Sequence, residues 1–111
     1  MSQRQAPAPA EFRPTPQKLL ATIRGLAADS ANVAMGYHAL DRMEERGITT
    51  LDVLRVLQAG EIVGKVEAGK NLGEWKCKVV ERRKRARAIG VATVVIKASK
   101  LLVKTVEWED T

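Results

Sequence analysis

The chain has 111 residues, 45% apolar and 29% charged, which is enough for one small packed core and excludes a disordered polyampholyte. Its net charge of +6 and pI of about 9.8 point to a polyanionic partner. There is no apolar run of membrane-spanning length, and the start, MSQRQAPAPAEFRPTP, lacks the apolar stretch of a secretory signal, so a cytoplasmic protein with no membrane attachment is expected.

Residues 1–16 are rich in Pro, Ala and Gln without apolar periodicity and are expected to form a flexible tail, leaving 17–111 as a single domain. Pro16 suits a first helical turn, and QKLLATIRGLAA places Leu19, Leu20, Ile23 and Leu26 on one helical face. Gly36 precedes a second helix from about Tyr37 to Arg46, with Gly47 just past its end. Thr49 or Thr50 can cap a third helix, LDVLRVLQA, whose Leu51, Leu54, Val56 and Leu57 are expected to face inward; Gly60 closes it.

Beyond Gly60 the apolar period changes from helical to alternating. EIVGKVEAG reads as a first strand, and Gly69 to Gly73 as a turn. In EWKCKVVER, Trp75, Cys77 and Val79 point one way while Lys76 and Lys78 point the other. RARAIGVATVVIK is apolar on both faces, as a central strand would be, and ASK turns the chain into a last strand, LLVKTVEWED. The expected architecture is α+β, with N-terminal helices packed on one face of a three- to four-stranded antiparallel β-sheet.

The basicity is local. Ten Lys or Arg lie between Trp75 and Lys104 and only Glu81 opposes them, so the remainder of the chain is slightly acidic. The densest part is ERRKRARA, where Arg82, Arg83, Lys84, Arg85 and Arg87 form a basic hairpin suited to a phosphate backbone; Lys76 and Lys78 extend that surface along the adjoining strand. A solvated loop that discourages edge-to-edge sheet pairing is the plainer reading of the same charges.

The chain's single histidine, His38, lies four and eight residues ahead of Arg42 and Arg46, so the three side chains fall within about 80° of one another on a helix. They border the apolar stripe of Ala39, Leu40 and Met43. Imidazole can carry a proton near neutral pH and guanidinium can hold a phosphate, a set suited to RNA cleavage by attack of a 2′-hydroxyl on the adjacent phosphorus. The same spacing also fits a solvated face on which Asp41, Arg42, Glu45 and Arg46 pair with one another. Trp75 and Trp108 read as core or rim residues. The acidic end, EWEDT, reads as a solvated terminus or an internal partner for the basic hairpin. One cysteine and one histidine supply neither a disulfide nor a structural zinc set, and no cofactor motif is present, so no metal or cofactor is expected.

HALDRMEERGITTLDVLRVLQAGEIV, followed by EWKCKVVERRKRARAIGVATVVIKASKLLVKTVEWED, resembles the uncharacterised bacterial family catalogued as domain of unknown function 4258. The residues that carry the resemblance are His38, Arg42 and Met43, Glu45 to Ile48, Asp52 and Val53, and Gly60 to Ile62, within a span from about Gly36 to Asp110. The helix-helix-sheet layout is similar to that of the small RelE and BrnT kinds of bacterial toxin, which cleave messenger RNA, often on the ribosome, without a metal. The likeness to those toxins is one of layout and carries no residue match. It implies RNA, free or ribosome-bound, as one partner and an acidic antitoxin protein as another. His38 would then be the general acid or base and Arg42 or Arg46 the phosphate ligand, with Lys78 or an arginine as the second proton-transfer group. Two other readings stand beside it: a non-catalytic nucleic-acid-binding or regulatory module, and a protein-interaction module that docks an acidic partner.

Overall fold

The protein's structure, a computed structural model, describes residues 13–82 and 87–109. Helix α1 (Pro16–Ala27) begins where the Thr15 hydroxyl accepts a hydrogen bond from the Lys18 amide at 3.1 Å and Pro16 presets the first turn. It buries Leu19, Ile23 and Ala27. A short 3-10 turn, Ser30–Asn32, leads into β1 (Val33–Met35) and then α2 (Tyr37–Arg46). Helix α2 buries Ala39 and Met43 and ends at Gly47, whose φ of 67° lets its amide turn back to the carbonyls of Met43 and Glu44. Helix α3 (Thr50–Ala59) starts with a capping box between Thr49 and Asp52 and buries Val53, Val56 and Leu57.

Two apolar side chains expected inward are not. Leu51 is 74% exposed, because it stands two residues before Val53 and so about 200° round the helix from it. Leu40 is also exposed, at the edge of the stripe formed by Ala39 and Met43.

Strands β2 (Glu61–Ala68), β3 (Glu74–Glu81), β4 (Ala88–Ile96) and β5 (Lys100–Glu109) form an antiparallel meander. The expectation of three to four antiparallel strands needs correcting, because β1 joins β5 in parallel and the sheet has five strands in the order β1-β5-β4-β3-β2. Three residues between two helices are too few to show an alternating pattern, so β1 is recognisable only through its pairing of Val33 with Leu101 and Met35 with Val103.

The three helices and one face of the sheet enclose a single core. Ile23, Val53, Val56 and Leu57 meet Val79 on β3, Val91 on β4, and Leu101, Val103 and Val106 on β5, all fully buried. Trp75, Cys77 and Val79 are buried together, as the alternation predicted. Helix α1 is tied in at its C-terminal end: Gln58 Nε2 donates to the Ala27 carbonyl at 2.8 Å, and Arg24 donates to the Gly60 carbonyl at 2.8 Å and pairs with Glu61 at 3.1 Å. Ahead of α1, the Arg13 guanidinium donates to the Val66 carbonyl and lies 5.6 Å from the Trp75 ring centroid.

Two bulges shape the uncovered face. On the edge strand β2 the register shifts between Val63 and Glu67, around Gly64 with its φ of 80°. On β5, Thr105 pairs with Ala92 but Val103 pairs with Thr93, which leaves Lys104 as the extra residue. The buried Thr93 hydroxyl donates to the Leu102 carbonyl at 3.1 Å and so satisfies backbone at that irregularity. Among the described residues, no helix is long and apolar enough to cross a membrane.

Candidate nucleic-acid interface

The face of the sheet turned away from the helices carries the alternate residues of each strand. Lys76 lies opposite Val94 and Lys78 opposite Ala92, with Leu102 and Thr105 next to them on β5. These rows form a trough of about 560 Å³ lined by the apolar Val63, Ala92 and Val94, by Lys65, Lys76, Lys78 and Lys104, and by Glu67, which lies opposite Lys76. A second hollow of about 500 Å³, towards the β2–β3 turn, shares Lys76 and Lys104 and adds Lys70. Among the described residues, Lys65, Lys76 and Lys104 have no carboxylate within ion-pairing distance. Glu74, at the rim of the second hollow, accepts hydrogen bonds from the Asn71 side chain at 3.0 Å and the Asn71 amide at 3.3 Å, which lower its pKa.

Lys78 is different. Its Nζ is 2.6 Å from a carboxylate oxygen of Glu107 and 2.6 Å from one of Glu109. Those two hydrogen bonds, Glu107 first, raise the Lys78 pKa, and the Lys78 ammonium in turn holds the Glu107 carboxyl below its ordinary value. Gly90 makes the clamp possible: a Cβ there would stand 2.7 Å from Lys78 Cε and 2.6 Å from Glu109 Oε2. Lys78 therefore shares the expected cationic face, but its charge is already matched. A raised pKa also makes it hold its proton more firmly, the opposite of what a base needs. The acidic end of the chain thus partners a lysine of the sheet.

This clamp has a definite acid limit. Because the Glu107 pKa is lowered on folding from an ordinary 4.5, its contribution is present above that value and is lost as the pH falls through the lowered one. Carboxyl resonances followed by NMR are expected to give Glu107 a midpoint below 4.5, returning to the ordinary range in Lys78→Gln. An unchanged midpoint in the variant would show that the clamp is not the cause.

The cleft at His38 is built by the β1–α2 junction. The Gly36 amide donates to the Val103 carbonyl at 2.9 Å, which pins the start of α2 against β5 one residue before Lys104. Gly36, Tyr37, His38 and Lys104 line a cleft of about 310 Å³ there. Gly36 offers no side-chain cap. His38 is exposed, and Tyr37 beside it is 89% exposed. Arg42 and Arg46 do not line this cleft. Arg42 Nη1 is 2.8 Å from Glu45 Oε1, and Arg46 Nη1 is 4.0 Å from the same oxygen. Both guanidiniums keep substantial exposure, so solvent screening leaves these pairs weak enough for a phosphate to compete.

Of the basic hairpin, the described Arg82 and Arg87 do not line the trough. Arg82 is exposed and lines a separate hollow with Glu61 and Glu81. Arg87 stacks over the Trp108 ring at 4.5 Å, and the Trp108 indole N–H donates to the Arg46 carbonyl at 3.0 Å. Arg83, Lys84 and Arg85 lie outside the described residues. Cys77 is no nucleophile in this setting, because burial pushes its thiol pKa up to about 11. Sequence reasoning missed Lys65, Lys104 and Tyr37. For Lys104 a signal existed, since alternation with the apolar Leu101 and Val103 turns it to the lysine face.

The family described as "Domain of unknown function (DUF4258)" matches residues 35–108, from the end of β1 to Trp108. The chain belongs to that family. No curated protein and no solved structure matches it. The DUF4258 span contains the trough, the His38 cleft and, of the clamp, Lys78 and Glu107, whereas Glu109 follows it and α1, which fills part of the core, precedes it.

Proposed function

We propose that this DUF4258 protein binds RNA on the uncovered face of its sheet and cleaves it at His38, in the manner of a ribonuclease-type toxin. The observation that carries the reading is the continuity of unpaired lysines, in which Lys104 belongs both to the trough with Lys65 and Lys76 and to the cleft with His38. An apolar floor walled by four lysines against the single carboxylate of Glu67 suits a phosphate backbone, which gains by releasing counterions.

In the cleft, His38 takes the proton of a ribose 2′-hydroxyl as that oxygen attacks the adjacent phosphorus. The bond from phosphorus to the 5′-oxygen breaks, leaving a 2′,3′-cyclic phosphate, and the departing oxygen is protonated from water. The Lys104 ammonium offsets the charge that gathers on the phosphoryl oxygens. Arg42 becomes a second phosphate ligand if it exchanges Glu45 for the substrate.

The test uses the purified full chain, a labelled single-stranded RNA and a buffer containing EDTA. Binding is expected to weaken steeply with salt, and the products to carry cyclic phosphate and 5′-hydroxyl ends. Binding that ignores salt, or is absent, removes the whole reading. Salt-sensitive binding without product leaves the non-catalytic nucleic-acid-binding module, a reading favoured by the pairing of both Arg42 and Arg46 with Glu45.

A further inference from the structure

The distribution of charge on the uncovered face gives a bound strand a direction. Where the trough reaches the end of β5, its lining residue Lys78 is bound by Glu107 and Glu109, so a phosphate there would meet two carboxylates for one ammonium. The unpaired lysines instead run across the strands, from Lys65 on β2 to Lys76 on β3 and Lys104 on β5. The last step covers two strand spacings, about 10 Å. Lys104 is the junction, because it lines the main trough, the hollow at the β2–β3 turn and the His38 cleft alike. Its place as the extra residue of the β5 bulge puts it there.

Among the described residues, the floor of that path has no aromatic ring. Trp75 is buried on the opposite face, and Trp108 is partly buried there. Val63, Ala92 and Val94 can support a backbone but cannot stack bases. Where the path ends, Tyr37 lines the cleft with His38 and Lys104 and leaves its ring 89% exposed. A base can reach that ring only when it is unpaired.

We propose that a single RNA strand crosses the sheet over Lys65, Lys76 and Lys104, turned away from the Lys78–Glu107–Glu109 clamp, and sets one unpaired base on the Tyr37 ring beside His38. This rests on the RNA reading above and adds its substrate form, its path and the residue that holds the unpaired base at the cleft.

Two sets of binding measurements on the full chain test it, with a short single-stranded RNA as the probe. In the first, Lys65→Gln, Lys76→Gln and Lys104→Gln are each expected to weaken binding and lower the salt slope by about 0.7 to 1. Lys18→Gln, the same charge change on the exposed side of α1, is expected to leave both near the wild-type values. In the second, Tyr37→Ala is expected to weaken binding by about ten-fold, and Tyr37→Phe to keep it. Scanning one abasic nucleotide along the probe should find a position where the substitution costs the wild type about as much and costs Tyr37→Ala almost nothing.

The path is overturned if Lys18→Gln is as damaging as the three track variants. The stacking assignment is overturned if Tyr37→Ala loses the same factor at every abasic position, or if a fully paired RNA binds as well as the single strand. In either case salt-sensitive binding by the wild type would persist, whereas its absence would count against the RNA reading itself.

Discussion

His38→Ala is expected to slow RNA cleavage by about 100-fold or more while leaving RNA affinity close to that of the wild type. The size of the effect follows from general acid–base catalysis, where a positioned imidazole typically supplies two or more powers of ten. The selectivity follows from the placement of the side chain. His38 is exposed on the first turn of α2, outside the core formed by Ala39 and Met43, so removing it costs the fold little. In the proposed reading affinity rests on the lysines of the sheet, which the substitution leaves in place. Unchanged cleavage by His38→Ala would end the catalytic assignment, while binding by Lys76 and Lys104 would still have to be explained.

Ile23→Ala is expected to destabilise the protein by about 2–5 kcal/mol, read as a lower denaturation midpoint at unchanged slope. Ile23 is completely buried among residues of α3 and the sheet, so truncation leaves a cavity that rigid β-strands cannot close. A domain of this size has only about 5–15 kcal/mol in total, so the loss would be a large share. The outcome matters because Ile23 lies ahead of the DUF4258 span. A cost below about 1 kcal/mol would make α1 a peripheral addition; the expected cost makes it part of the same cooperative unit.

The extents of the three helices were legible because each carries its own punctuation. Pro16, Gly47, the Thr49 and Asp52 capping box and Gly60 act over a few residues and are visible in the string itself. The orientation of β3 was legible for a similar reason, since strict alternation sorts Trp75 and Cys77 from Lys76 and Lys78. What escaped depends on distant pairing. β1 is a strand only because β5 lies beside it, and the bulge at Lys104 exists only as a mismatch between two strands.

The site shows the same division. His38 was singled out by its chemistry and its helix, yet the residue that shares its cleft is Lys104, brought there by β1 and β5 rather than by helical spacing. Arg42 and Arg46, chosen by that spacing, pair with Glu45, itself on the same helix. Lys78 looked equivalent to Lys76 because both alternate with core residues. Only the register that brings Glu107 beside Gly90, within reach of Lys78, separates them.

The parallel pairing of β1 with β5 also sets an order of events. Val33 to Met35 are made well before their partners, Leu101 to Val103, which follow three further strands and two helices. Contacts that wait on so distant a segment form late and slow the search for the native state. The cleft waits on the same segment, because His38 and Tyr37 are made well before the Lys104 that lines it with them. Under the proposed reading, cleavage at His38 therefore cannot begin until β5 has been made and has paired with β1.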